Sequence, residues 1–493
     1  MTTGAASCIR RYGFAGLAMA TCVVKSIVRR MTSIGCTGVP LIPWTSSGTS
    51  LVPQNVVHLA LWVTGLERKP EIVLLERYEM EEKAEGMLSP YRVLDLTDEK
   101  GLLCSKLLGD LGADVIKVER PGGDPARDIG PYYHDEPDPE KSLLWFAFNT
   151  SKRGITLDIE TADGQDVFKR LAGSADFILE SFPPGYMDGL GLGYSDLEKV
   201  NPGIIFVSIT PFGQTGPHKD FKSPEIVSWA MGGFMSARGD VDRPPIRISH
   251  HSQTYLHAGV EGGVGAMLAL YDRWTIGEGQ HVDVSIQDSA GRGTVPVGWA
   301  MSKTSTLGPV AQPGTAGLRT TYTWPCKDGY ILFFYATGGQ AKRVSRPLVE
   351  WMEEEGMSDE FLSGIDWGTF DLRQSTQETV DRMTDTTKKF FMSHTKAELF
   401  EGAVKRRILL YPVSTMKDIL ESPQLAAREF WRQVEHPELD TTITYPGAFA
   451  NASGTPLKLY RRAPLIGEHN EEVYRELGLS IEEILTLKQA GVI

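Results

Sequence analysis

The chain has 493 residues, of which 41% are hydrophobic and 23% are charged, an ordinary composition for a globular protein with room for two to three domains. The formal net charge of −13 argues against a nucleic-acid partner, although a local basic patch for a phosphorylated ligand remains compatible with it. The five cysteines form no C-x-x-C pair, so a reducing compartment is expected and a disulfide scaffold or cysteine metal site is not.

Residues 1–87 differ from the rest and are expected to form a basic, disordered N-terminal extension. The first 66 residues contain five basic residues and no Asp or Glu. The apolar stretch from Phe14 to Val24 is shorter than the ~20 residues that a membrane-spanning helix needs. A cytoplasmic protein is therefore expected. A mitochondrial targeting peptide is one alternative, and a start codon placed upstream of Met87 is another.

Strands and helices alternate from residue 91 onward, in the order expected of an α/β domain. The first strand, helix and second strand form a β-α-β unit, which predicts parallel pairing with a right-handed crossover. The whole alternation predicts a mostly parallel sheet covered by helices on both faces. The predicted strands are RVLDL (92–96), DVIKVE (114–119), ITLDI (155–159), DFILESF (176–182), IIFVSITPFG (204–213) and QHVDVSI (280–286), with helices at 101–113 and 162–175 between them.

This regularity weakens after residue 300, which predicts a change of domain. A large α/β domain is expected over residues 88–300, and a smaller, helical and charged domain over 301–422. Residues 423–493 contain extended segments followed by a closing helix, and they form the C-terminal segment.

Four loops are candidates for a binding site, because ligands of parallel sheets sit at the carboxyl ends of strands. Two of them are basic, and their cations could bind phosphates unless they are merely solvated strand-end charges. GLGLG at 189–193 does not follow a strand directly, so it does not predict a dinucleotide site. The candidate loops are 118–127, with Arg120 and Arg127; 148–154, with Lys152 and Arg153; 180–185; and 209–217.

The stretch SHHSQTYLHAG (249–259) places three histidines before an apolar, glycine-spaced helix. His251 and His257 are six residues apart, and neither has a carboxylate at the helical i+4 spacing. The adjacent His250 and His251 would point in different directions on a helix or a strand. No metal site is expected there.

The order of the motifs along the chain resembles that of the class III CoA-transferases, the CaiB/BaiF family. The resemblance extends from about residue 88 to the C-terminus. It is carried by VLDLT (93–97), LLGDLGADVIKVERPGGDPAR (107–127), NTSKRGITLDI (149–159), ADFILESFPPG (175–185), LGLGYSDLEKVNPGIIFVSITPFGQTGP (190–217), GEGQHVDVSIQD (277–288) and APLIGEHNEEVYRELGLS (463–480).

The resemblance implies a large Rossmann-like, CoA-binding domain built from both chain ends, a smaller middle domain and an interlocked dimer, either a homodimer or a heterodimer with a related subunit. It implies transfer of coenzyme A from an acyl-CoA to a carboxylic acid, with no permanently bound cofactor and no membrane partner. In the family an aspartate attacks the thioester to form an acyl anhydride and then an enzyme-bound CoA thioester, a route that requires a carboxylate.

The family's nucleophile position falls on Tyr255, by ungapped comparison backward from RWTIGEGQ (273–280). A tyrosine is almost wholly protonated at neutral pH, so we expect Tyr255 to donate a hydrogen bond to the acyl carbonyl or to fill the pocket, not to attack. His251 and His257 are then general-base candidates. The family's second acidic position falls on Glu225, for which stabilisation of a helix N-terminus is the alternative role. Glu261 is expected on another part of the surface.

CoA binding is implied for residues that match the family's motifs. The sequence also departs from the family: DEKG (98–101) replaces the usual Q-A-G-P, Ser181 replaces an asparagine, Gly189 replaces an arginine, and GPVAQPG (308–314) keeps only part of a glycine-rich loop. The implied CoA-binding residues are Arg120, Asn149, Lys152, Arg153, Leu157, Ser181, Phe182 and Gly185.

Three functions are compatible with these matches and departures. The first is an active CoA-transferase that uses Glu225 or a substrate carboxylate in place of the missing aspartate. The second is a CoA-binding, non-nucleophilic partner subunit of a heteromeric transferase. The third is an α-methylacyl-CoA racemase, which is disfavoured because its His-Asp pair is replaced by Pro224 and Glu225.

Overall fold

The computed structural model describes residues 86–235, 244–247, 252–293, 318–336 and 338–493. Residues 1–85 of the predicted N-terminal extension lie outside these ranges. The same holds for His250, His251 and the predicted loop at 308–314.

A six-stranded sheet organises the first part of the described chain. All of its pairings are parallel, and the strand order is β3-β2-β1-β4-β5-β6. This is the order of a doubly wound Rossmann sheet, which confirms the predicted fold class. The strands are β1 (Arg92–Leu96), β2 (Asp114–Glu119), β3 (Lys152–Thr156), β4 (Phe177–Glu180), β5 (Ile205–Thr210) and β6 (His281–Ser285).

Several strand boundaries differ from the prediction, and the difference at β3 matters most for the site. β3 begins at Lys152, three residues before the predicted start at residue 155. Its first two residues are charged but buried, because carboxylates elsewhere in the chain pair with them. The prediction that 148–154 is a loop at a carboxyl end is therefore wrong, since residues 148–151 lead into the amino end of β3.

Helices cover both faces of this sheet. Successive strand residues point to opposite faces, so Leu94 and Ile116 join one core with Phe168, while Val93 and Val115 join a second core. The helices of this region are α1 (Leu102–Asp110), α2 (Leu143–Phe148), α3 (Ala162–Gly173), α4 (Tyr186–Gly189), α5 (Tyr194–Val200), α6 (Glu225–Met231), α7 (Gln253–Ile276) and α8 (Ile286–Gly293).

Two small antiparallel sheets follow. The first comprises β7 (Thr323–Cys326), β8 (Gly329–Phe333) and β9 (Leu410–Pro412), and it shares an aromatic core with the helices around it. The second pairs β10 (Trp431–His436) with β11 (Thr441–Pro446). The helices are α9 (Ala341–Val344), α10 (Arg346–Glu354), α11 (Glu360–Ser363), α12 (Gln377–Ser393), α13 (Lys396–Arg406), α14 (Met416–Leu420) and α15 (Pro423–Ala427).

The chain ends in two helices, α16 (Asn470–Glu476) and α17 (Ile481–Gln489). Val473 and Tyr474 lie in the same core as Leu94 of β1, and the Tyr474 hydroxyl donates to the Thr156 carbonyl at 2.5 Å. The proposed domain boundaries at residues 300 and 422 stay a prediction. Within the described ranges, no helix combines the length and the apolar character that crossing a membrane requires.

Candidate active site

The strand order reverses between β1 and β4, and the carboxyl ends of these two strands border the crevice where ligands of doubly wound sheets bind. The two loops that leave these strands are joined by a pair of hydrogen bonds. The Ser181 hydroxyl donates to Asp98 Oδ1 at 2.7 Å and accepts from the Asp98 backbone N–H at 2.9 Å. Ser181 therefore fixes the loop after β1, and Asp98 is also paired with Lys100.

Glu180 is the last residue of β4 and lies at the base of this crevice. Its Oε2 accepts from the Phe182 N–H at 2.7 Å. Burial raises the pKa of Glu180 to about 7, although hydrogen bonds from Ser208 and the Phe182 amide oppose the shift. The Phe182 ring packs against Tyr186 with 4.6 Å between centroids, and Gly185 has a positive φ of 82° with open space where a Cβ would point. Phe182 and Gly185 thus offer an apolar, uncrowded surface.

Tyr255 lies in the first turn of α7 and is 5% exposed. Its hydroxyl lies 3.4 Å from the Ser223 carbonyl, to which it donates. Burial raises the pKa of Tyr255, and the nearby carboxylates of Glu99, Asp98 and Glu225 add to the shift. The phenol therefore stays protonated, as a pocket-filling residue would.

Glu225 is the first residue of α6 and is buried. Its Oε1 accepts from the Trp229 indole and from Thr254 Oγ1, the latter at 3.3 Å. Its Oε2 lies 3.3 Å from Arg247 Nη1. These contacts are compatible both with a carboxylate that stabilises the N-terminus of α6 and with a catalytic carboxylate. In either role they hold the side chain in place.

Lys152 and Asn149 lie beneath α1 and are fully buried. Lys152 Nζ is 3.0 Å from Asp95 Oδ2 and donates to Asn149 Oδ1 at 2.9 Å. Burial alone would raise the pKa of Asp95, but Lys152 and Lys117 lower it to about 2. Burial lowers the pKa of Lys152 to about 8 against the opposing attraction of Asp95. The Lys152 ammonium is therefore occupied by protein partners.

Arg153 also has protein partners. Its guanidinium lies 2.6 Å from Asp114 and 2.6 Å from Glu476, and it contacts Glu472 at 2.8 Å. Asp114 is the first residue of β2, so this network lies toward the amino ends of the strands. Leu157 is buried in the core with Phe168.

Arg120 follows β2 directly and is exposed. Its Nε donates to the Gly123 carbonyl at 3.3 Å, while its two Nη nitrogens have no hydrogen-bond partner among the described residues. Arg127, in the same loop, is buried between Glu119 and Glu140 and lies over the Trp145 ring. Arg120 is thus the accessible cation of this loop.

The remaining candidates lie apart from Tyr255. His257 is exposed on α7, with its ring 5.6 Å from that of Phe234. Glu261 accepts from Ser289 at 2.6 Å and pairs with Arg292 at 3.4 Å, as expected for a residue on another part of the surface.

Sequence reasoning missed Glu99 and Arg247 as neighbours of the site. The signal for Glu99 was its place in DEKG (98–101), within the loop that follows β1.

The model of CoA-transferase family III matches residues 88–470 of this chain. The chain belongs to CoA-transferase family III. It therefore transfers coenzyme A between an acyl-CoA and a carboxylic acid, with CoA thioesters as its substrates.

Individual relatives agree with this assignment. The chain is 36% identical over 408 residues to the succinyl-CoA:(R)-benzylsuccinate CoA-transferase subunit BbsE of Thauera aromatica, covering 82% of this chain and 98% of that one. It is 32% identical over 435 residues to the formyl-CoA:oxalate CoA-transferase of Streptomyces avermitilis, covering 82% and 99%. A crystal structure of a CaiB/BaiF family protein from Brucella suis matches with a TM-score of 0.68 and 27% identity, covering 80% and 100%.

The raised pKa of Glu180 makes stability depend on pH. The folded pKa of about 7 exceeds the ordinary value of 4.5. The protonated Glu180 side chain therefore contributes its full stabilisation of the folded state below pH 4.5, and this contribution is lost as the pH rises through about 7. Glu180→Gln mimics the protonated form. Between about pH 5 and pH 8 the wild type should lose up to roughly 3 kcal/mol relative to this variant.

Thermal or urea unfolding at several pH values measures this difference. Glu278→Gln, an exposed carboxylate, serves as the control. Parallel stability curves for the wild type and Glu180→Gln would contradict the prediction.

Proposed function

We propose that coenzyme A binds across the loops at the carboxyl ends of β1, β2 and β4, with its acyl group directed toward Tyr255. The observation that carries the proposal is the crevice where the strand order reverses, which places Ser181 and Phe182 beside the loop that holds Asp98. Succinyl-CoA is the first donor to test, because the relative from Thauera aromatica is named for it.

The implied CoA-binding residues then divide into two groups. Arg120, Phe182 and Gly185 offer an accessible cation and an apolar face, which suit phosphates and an adenine ring. The others are proposed to stabilise the fold instead of contacting CoA, since their side chains are engaged by protein partners or buried in the core. This second group comprises Asn149, Lys152, Arg153, Leu157 and Ser181.

Arg120→Ala should weaken CoA binding between several-fold and about a hundredfold, as expected for the loss of a charged contact of about 1–3 kcal/mol. The loss should shrink at high salt, because the contact is exposed. Calorimetric titration with CoA at two ionic strengths measures it. Lys199→Ala is the control, since Lys199 is an exposed cation paired with Asp196 and lies outside these loops. Unchanged affinity in Arg120→Ala would remove Arg120 from the site.

Tyr255→Phe should keep transferase activity within about tenfold, because only one neutral hydrogen bond, to Ser223, is removed. Steady-state turnover of succinyl-CoA with a panel of carboxylic acids measures it. Loss of turnover with CoA binding intact, or an acyl group on Tyr255 by mass spectrometry, would contradict this assignment.

The chain is further proposed to act as a dimer, either with a second copy or with a related subunit. The relative from Thauera aromatica is itself named as a subunit. Val264, Leu268 and Tyr271 lie at helical spacing along α7 and are 54%, 65% and 68% exposed. An apolar stripe of this kind is typical of an interface.

A cytoplasmic location is proposed as well, in keeping with the free thiols of Cys104 and Cys326.

Leu268→Asp combined with Tyr271→Asp should convert the dimer to a monomer, because both charges would be buried in the interface. Sedimentation at low micromolar concentration measures this. Met392→Asp, at an exposed apolar residue on α12, should leave the dimer intact. A doubly substituted protein that sediments like the wild-type dimer would place the interface elsewhere.

The partner-subunit function remains the second candidate, favoured by the presence of Tyr255 at the family's nucleophile position. Under this function the chain binds CoA but forms no covalent adduct by itself. Co-purification with a related subunit that carries the aspartate would support it.

A further inference from the structure

Arg247 is a cation that contacts the family's second acidic position. Its Nη1 lies 3.3 Å from Glu225 Oε2, and 31% of its side chain is exposed. Glu225 Oε2 accepts no hydrogen bond from the described residues, so the N–H bonds of Arg247 are not aligned on it. The contact is therefore an ion pair, and it does not fix the guanidinium as two parallel hydrogen bonds would.

Glu225 connects this cation to the place where the acyl group is proposed to lie. Its Oε1 accepts from Thr254 Oγ1 at 3.3 Å, and Thr254 directly precedes Tyr255 in the first turn of α7. The Tyr255 hydroxyl lies 3.4 Å from the carbonyl of Ser223, two residues before Glu225. Arg247 and Tyr255 thus contact the same short segment of the chain, residues 223–225.

A second carboxylate on the acyl group needs a cation in this part of the site. Succinyl-CoA, the donor proposed above, carries such a carboxylate two methylene groups from its thioester carbonyl. Bringing that carboxylate next to the carboxyl group of Glu225 costs free energy unless a positive charge pairs with it. A guanidinium has five N–H donors in a planar fork, so one arginine can serve two carboxylates. Lys100, in the loop after β1, is already paired with Asp98.

We propose that Arg247 determines substrate specificity, with its guanidinium binding the second carboxylate of a dicarboxylic acyl group while it stays paired with Glu225. The inference rests on the proposed function and deepens it by naming the substrate class, the CoA thioesters of dicarboxylic acids. It holds for an autonomous transferase and for a partner subunit alike, because it concerns binding and not the nucleophile.

A competing explanation is that Arg247 only neutralises the buried Glu225. Its removal would then leave an unpaired carboxyl group, which would destabilise the site and repel an anionic ligand. The two roles differ when Glu225 is replaced as well. An arginine that only neutralises Glu225 becomes dispensable in a Glu225→Gln background, whereas an arginine that contacts the ligand does not.

The experiment compares two stable thioether ligands by calorimetric titration, carboxypropyl-CoA and butyl-CoA, which differ only in a terminal carboxylate or methyl group. Arg247→Gln should weaken the binding of carboxypropyl-CoA by about tenfold to a hundredfold, as expected for a charged hydrogen bond, and leave butyl-CoA within about threefold of the wild type. The same selective loss should appear when Arg247→Gln is added to Glu225→Gln. This double variant contains no unpaired carboxyl group at residue 225, so it keeps the test decisive if Arg247→Gln alone folds poorly.

Arg292→Gln is the control. Arg292 also pairs with a glutamate, Glu261 at 3.4 Å, but on another part of the surface. Its replacement should leave the affinity for both ligands unchanged.

Several results would overturn the proposal. Equal losses for both ligands, or a selective loss that disappears in the Glu225→Gln background, would assign Arg247 to charge neutralisation alone. Unchanged binding of carboxypropyl-CoA in Arg247→Gln would remove Arg247 from the site. Each of these results leaves CoA binding in place. A wild-type chain that binds neither ligand would instead overturn the proposed CoA site together with the role of Arg247.

Discussion

The buried carboxylate of Asp95 is the interaction on which the candidate site depends. It lies in the middle of the sheet and accepts from Ser105 Oγ at 2.6 Å, from Thr97 Oγ1 at 2.7 Å and from the Thr97 N–H at 2.9 Å, while Lys152 Nζ lies at 3.0 Å. One side chain thus ties β1 to β3, to α1 and to the loop that carries Glu99. Removing one member of such a buried pair typically costs about 3–5 kcal/mol, because it leaves an uncompensated charge.

Much of the sheet was predictable from sequence, because buried parallel strands are runs of apolar residues. RVLDL, DVIKVE and the core of IIFVSITPFG correspond to β1, β2 and β5. β3 was misplaced because it begins with Lys152 and Arg153, which read as loop residues. Their neutralising partners, Asp95 and Glu476, lie 57 and 323 residues away in sequence. No local pattern predicts that a charge will be matched over such distances.

The candidate site was predictable only in part. The resemblance located Tyr255 and Glu225, but it gave no signal for the carboxylates of the loop after β1, whose charges raise the pKa of Tyr255. Helix α7 packs closely against α1 because Gly259 and Gly262 carry no side chain at the points of approach. The glycine spacing was visible in the sequence, but the partner helix was not. The same limitation led Lys152 and Arg153 to be interpreted as phosphate ligands, when their ion pairs belong to the protein.

The identity of residue 255 is best understood from the carboxylates near it. Glu99, Asp98 and Glu225 already surround Tyr255, and all three raise its pKa. A fourth carboxylate at residue 255 would be desolvated among like charges, which would raise the pKa of the group and neutralise part of the cluster. A protonated phenol avoids this repulsion and fills the volume.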